Sequence, residues 1–196
     1  MTFFGHNLTS KEGEMATFRQ LAWDIALDRR GYVTTVEARA SGIPVVELAK
    51  IAHRGLLRHV AHGIYRFDEF PTTRLDQFYE ALLRVGEDAY LVGDAVLALY
   101  DLAQVNPKRL RVATTQRRLR KDLPDWIAIE KAHVEEHEIT VVEGIRSSTL
   151  RQALVDARPY VMHERLLDAI ESALKQDLIS ESDEQSLRKL LGEGGF

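Results

Sequence analysis

The chain of 196 residues is 45% hydrophobic and 29% charged, with a net charge of −4 and no cysteine. That length suits one large or two small domains with a buried core, and the missing cysteines exclude disulfides and thiolate metal sites. The acidic total argues against indiscriminate coating of nucleic acid but leaves room for a local basic surface, and the longest apolar stretch, residues 89–103, is too short and too charged to span a bilayer. The first residues lack the basic-then-apolar pattern of a signal peptide, so a cytoplasmic location without membrane association is expected.

Residues 1–14 are polar and aperiodic and read as a mobile tail. Residues 15–70 form the first expected domain. Its opening helix, Ala16 to Arg30, carries Phe18, Leu21, Ala22, Ile25 and Ala26 on one face. Arg29 and Arg30 fall in its last turn, where cations suit the helix dipole, and Gly31 ends it. A β-like run, Tyr32 to Thr35, precedes a small helix over 36–41 that Gly42 closes. Pro44 sits where a new helix starts, since its missing N–H costs nothing in a first turn. The helix Val45 to Arg54 stops at Gly55, and two β-rich runs, 56–60 and 64–67, flank the compact turn Ala61-His62-Gly63. Helix, glycine turn, helix and basic hairpin, in that order, make a winged helix-turn-helix.

Within the second helix of that motif, Val45, Leu48, Ala49 and Ala52 fall at i, i+3, i+4 and i+7, which predicts an inward stripe. Lys50, His53 and Arg54 are left outward, where lysine or arginine can reach guanine acceptors or phosphates in a major groove. Arg58, His59, His62 and Arg66 decorate the hairpin, which would lie along the neighbouring DNA backbone. These seven are the expected DNA contacts. The plainer alternative is a structural helix-hairpin with solvated charges; the element order favours the DNA reader.

Pro71-Thr-Thr73 reads as a short linker into a second domain, residues 74–196, of mixed α/β character, making the chain α+β overall. Leu75, Phe78, Tyr79 and Leu82 predict a helix, Tyr90 to Val92 a strand, and Asp94 the N-cap of a helix bearing Val96, Leu99 and Tyr100. Residues 110–114, 126–129 and 139–142 predict strands; 151–157, 164–175 and 183–191 predict helices, the last with Ser182 and Gln185 as a capping box. Lys108, Arg109, Arg111, Arg117, Arg118, Arg120 and Lys121 form a basic block followed by an acidic run. Such a block is either a solvated face or a patch for nucleic-acid phosphate or an acidic protein.

His133-Val-Glu-Glu-His137 matches the H-x-x-E-H pattern of a zinc-peptidase class, whose chemistry needs both histidines on one helical face. Here the pattern lies in an acidic run just before a strand. Together with the absence of a nucleotide loop or nucleophile elbow, this predicts no catalytic residues, no metal and no cofactor.

In sum these residues resemble the AbiEi family of antitoxins from bacterial abortive-infection systems. The resemblance rests on the winged half, with Gly55 to Tyr65 similar to the family's wing, and on Ala89 to Tyr100 and Gly144 to Asp156 in the second half. It implies a winged domain that represses its own operon at inverted repeats, and a second domain that counteracts a nucleotidyltransferase toxin, directly or functionally. Carried onto this chain, it implies that Lys50, His53, Arg54, Arg58 and Arg66 hold double-stranded operator DNA, with the block from Lys108 to Lys121 supporting antitoxicity, extended DNA contact or both. Two half-sites would need two winged units, from a dimer or from monomers that pair on DNA. Two other readings stay open: a stand-alone regulator whose second domain senses a ligand or dimerises, and a metal-dependent hydrolase using His133 and His137.

Overall fold

The computed structural model describes residues 9–116 and 123–192, with side chains from Phe18 onward. The chain is α+β and divides into two compact units, Met1–Thr73 and Arg74–Phe196.

The first unit contains α1 (Thr9–Leu27), β1 (Tyr32–Thr34), α2 (Thr35–Ala40), α3 (Val45–His53), β2 (Arg58–Ala61) and β3 (Ile64–Arg66). Its three strands form an antiparallel sheet in the order β1-β3-β2, with a bulge between His59 and Ala61. Ala22 and Ala26 of α1 let that helix approach Leu48 and Ile51 of α3 closely, and Val33, Ile43, Leu57 and Phe67 fill the rest of the core. Trp23 closes one end, edge-on to Phe67 with ring centres 5.1 Å apart. Thr34 caps α2 through a reciprocal box: its hydroxyl accepts from the Glu37 N–H, and the Glu37 carboxylate accepts from the Thr34 N–H. The hairpin tip is fixed to the same place. The Thr35 N–H donates to the Gly63 carbonyl at 2.9 Å, and a Cβ on Gly63 (φ 71°) would meet Thr35 Oγ1 at 2.8 Å.

The bounds of α1 differ from those expected at both ends. Helix α1 already includes Thr9, inside the stretch read as tail, and it ends at Leu27, so Arg29 and Arg30 lie beyond its last turn. Arg30 adopts φ 54° and Arg29 Nη1 pairs with Glu37 at 2.8 Å, so Arg29 fastens α2 and does not complement the α1 dipole.

The second unit contains α4 (Asp76–Val85), β4 (Tyr90–Leu91), α5 (Asp94–Leu99), β5 (Leu110–Thr114), β6 (Ile127–Lys131), β7 (Ile139–Val142), β8 (Ile145–Ser148), α6 (Leu150–Asp156), α7 (His163–Lys175) and α8 (Glu181–Gly192). Its five-stranded sheet runs β6-β5-β4-β8-β7, with β5/β6 and β4/β8 parallel and β4/β5 and β7/β8 antiparallel. Leu97 and Leu102 pack with Leu154, Leu166, Ile170 and Leu187 in a helical core. Strand β8 is the element the sequence pattern passes over: Ile145-Arg-Ser-Ser148 has little β-branched character, yet Ser147 and Ser148 are buried at its pairing with β7. The N-cap of α5 is Gly93 (φ 57°), with Asp94 one residue inside the helix. The box expected at Ser182 and Gln185 lies instead between Ser180 and Asp183, where the Asp183 N–H donates to Ser180 Oγ at 3.1 Å.

Candidate nucleic-acid interface

Helix α3 buries Leu48 and Ile51, which fixes its rotation. The larger Ile51 displaces Ala49 from the inward stripe, so the exposed stripe is Val46, Ala49, Lys50 and His53. These positions are spaced i, i+3, i+4 and i+7, one continuous outer face. Val46 is 57% exposed in the first turn, an apolar side chain with no place in the core. Lys50 Nζ donates to Glu47 Oε1 at 2.7 Å, an exposed i, i+3 pair. Such surface pairs contribute little to stability, so Lys50 can exchange Glu47 for a phosphate at small cost. Arg54, the C-cap of α3, is also exposed.

The hairpin supplies the second part of the surface. Arg58, His59 and His62 are exposed. Arg58 Nε pairs with Asp68 at 2.8 Å, and the His59 ring packs on Tyr65 at 5.1 Å between centres. A groove of about 560 Å3 between α3 and the wing is lined by His53, Arg58, His59, Tyr65 and Asp68. His53 faces it from the helix and Arg58 and His59 from the ribbon, with Asp68 held by Arg58, so a sugar-phosphate strand could be met from the helix and from the ribbon together.

Arg66 departs from expectation. It is only 3% exposed, lies opposite Tyr32 on the central strand β3, holds its guanidinium 5.4 Å from the Tyr32 ring, and donates from Nη2 to the Pro71 carbonyl at 3.1 Å. A side chain covered this way secures the end of the unit and presents nothing to DNA.

The basic block of the second unit is also thinner than its composition suggests. Arg117, Arg118, Arg120 and Lys121 lie outside the described residues. Arg109 donates to the backbone carbonyls of Asp125 and Ile127 at 2.8 and 2.9 Å, tying the start of β6 to β5. Arg111 points into a cavity, leaving Lys108 as the described member that is simply exposed.

His133 and His137 do not share a helical face. His133 follows β6 and His137 sits in a 3-10 turn, Glu136–Glu138. His133 Nε2 meets Asp156 Oδ2 at 3.0 Å and Nδ1 meets the Lys131 carbonyl at 3.1 Å. Partial burial works against its proton, but the Lys131 carbonyl and the Asp156 carboxylate outweigh that and raise its pKa above the usual value. The geometry of a zinc-peptidase pair is absent, and among the described residues no group of three or more histidine or acidic side chains could hold a metal.

A helix-turn-helix with an outward cationic α3 and a short antiparallel wing defines a winged-helix DNA-binding protein. Residues 24–67 match the family described as transcriptional regulator, AbiEi antitoxin. That match runs from within α1 to just past β3, and the description it carries is that of a regulator. No curated protein matches the chain. Among the described residues no helix is long and apolar enough to cross a membrane.

Proposed function

We propose that this protein is an antitoxin and autorepressor: the winged unit binds inverted-repeat operator DNA, and the second unit counteracts a nucleotidyltransferase toxin. The observation that carries the DNA part is the outer stripe of α3 joined to the wing groove. Lys50, Arg54 and Arg58 would neutralise phosphates, and His53, His59 and His62 would add hydrogen bonds along the strand. Val46 and Ala49 extend this set. In a major groove the thymine methyl is an apolar partner for such side chains, so we assign them to reading thymine.

The test uses the DNA upstream of the protein's own gene. Wild-type protein should retard that duplex in a gel-shift assay, and the double variant Lys50→Glu/Arg54→Glu should lose at least a hundredfold in affinity. The same variant should still rescue cells expressing the product of the adjacent gene. Loss of both activities would refute the division of labour, and failure of wild type to bind the duplex would refute the autorepressor reading.

A further inference from the structure

The second unit holds a cavity of about 510 Å3 whose floor includes Val92, Arg111 and Glu130 and whose walls include His133, Asp156 and Tyr160. That volume lies in the range of small-molecule sites, which combine apolar walls with a few convergent polar groups. The residues come from β5, β6, the end of α6 and the segments that follow β4, β6 and α6.

Arg111 is the side chain that the fold alone does not account for. It is 16% exposed and its guanidinium carbon lies over the Tyr160 ring, 3.3 Å from the centre. Asp94 Oδ2 and Glu130 Oε1 approach at 3.7 and 3.8 Å. Both are longer than a charge-assisted hydrogen bond, which closes to about 2.7–2.9 Å. Its buried Nε finds no acceptor among the described residues, and neither does Asp94 Oδ1 find a donor. A guanidinium presents five N–H groups in one plane and no acceptor, so burying it without matched partners is costly. The two carboxylates balance its charge without satisfying its geometry.

Charge and shape together select the missing partner. A further anion would sit within reach of Asp94 and Glu130 and be repelled by both. His133 is already closed onto Asp156. What fits is an uncharged planar group with two adjacent acceptors, lying in the guanidinium plane beside the Tyr160 ring. Arginine reads guanine O6 and N7 in this bidentate way, and cytosine O2 and N3 offer a similar pair. Both bases also carry N–H donors that a carboxylate can accept. Glu130 takes one bond from the Tyr160 hydroxyl at 3.3 Å, and Asp156 takes one from the Gln152 amide at 2.9 Å besides His133. Each carboxylate keeps lone pairs in reserve.

We propose that this cavity binds a nucleoside whose base has two adjacent acceptors, guanosine or cytidine, with Arg111 reading the base edge, Tyr160 aligning the stack, and Glu130 and Asp156 accepting from the base amine and the ribose hydroxyls. The site belongs to the second unit alone, and neither DNA binding nor toxin antagonism is a premise of it.

Isothermal titration of the full chain with guanosine, cytidine, adenosine, uridine and guanosine monophosphate tests it. Guanosine or cytidine should bind at least tenfold more tightly than adenosine and uridine, and the monophosphate should bind no more tightly than guanosine. Arg111→Lys keeps the positive charge beside Asp94 and Glu130 but loses the planar donor pair; binding should be lost while the unliganded variant still unfolds in one cooperative transition. Tyr160→Leu, at a half-exposed wall position, should weaken binding about tenfold. Equal binding of all four nucleosides, no binding at millimolar concentration, unchanged affinity in the Arg111→Lys protein, or displacement of nucleoside by inorganic phosphate at equal concentration would each overturn the assignment.

Discussion

Lys50, Arg54 and Arg58 stand outward on one helix and one hairpin, while Arg111, Asp94, Glu130 and Asp156 converge inward from separate elements of the second unit. The outward set is screened by water, and its ion pairs, such as Lys50 with Glu47, are easily exchanged. The inward set is partly desolvated, and its charges hold one another in fixed positions. Burial raises the Asp94 pKa against the opposing pull of Arg111. The contrast teaches that the first unit offers exchangeable charges of the kind the proposed contact with a long polyanion needs, whereas the second holds a small set of groups in one geometry.

The largest effects test whether the two surfaces are separable. Leu48→Ala removes a fully buried side chain under α3 and should cost about 2–5 kcal/mol. Operator binding should disappear with it, measured by urea unfolding and gel shift on one preparation. Leu154→Ala should cost a similar amount in the second unit. If it also abolishes DNA binding, the comparison breaks.

Salt sharpens the same contrast. Each phosphate contact contributes a slope of about −0.9 in log K against log salt. Three contacts through Lys50, Arg54 and Arg58 would then weaken each winged unit roughly 40-fold between about 50 and 200 mM salt. A flat profile would remove the cationic contacts from the account. Replacing thymine by uracil in the bound duplex deletes only methyl groups, and should weaken wild type severalfold while leaving Val46→Ser/Ala49→Ser unaffected. Equal sensitivity of both proteins would reassign Val46 and Ala49 to a spectator role.

The smallest effect concerns His133. Its folded pKa is raised above the usual 6.5, so the stabilisation from its bond to Asp156 is complete below that value and is lost as pH rises through the folded pKa. An NMR titration of the imidazole should place the midpoint above 6.5 in wild type and return it towards that value in Asp156→Asn. A midpoint at or below the usual value in wild type would show that the contact does not persist in solution.

What the sequence disclosed follows from how local each feature is. The turn between α2 and α3 is written in Gly42 and Pro44, and the wing in the short runs around His62-Gly63, so the motif could be read from neighbouring residues. Spacing alone treats Ala49 like Leu48, whereas volume gives Ile51 the inward place and so sets the rotation of α3. Arg66 looked like its hairpin companions, but its strand is the middle one and Tyr32 covers it. The cavity was invisible for a different reason. Arg111 read as one member of a basic block, and nothing in the linear order links it to Tyr160 or Asp94; sheet pairing and the return of the chain after α6 bring them together.

The hydrogen bond from Thr35 to Gly63 moors the far end of the ribbon to the beginning of α2. With the strands anchoring its base, the ribbon is mounted at two points and swings only if the helical pair swings too. On the proposed reading, the spacing between bases met by α3 and phosphates met by the ribbon tip is then set by the protein. A binding sequence whose groove width departs from that distance must itself be bent or squeezed to match, so stiff and pliant DNA steps would be discriminated at positions no side chain touches.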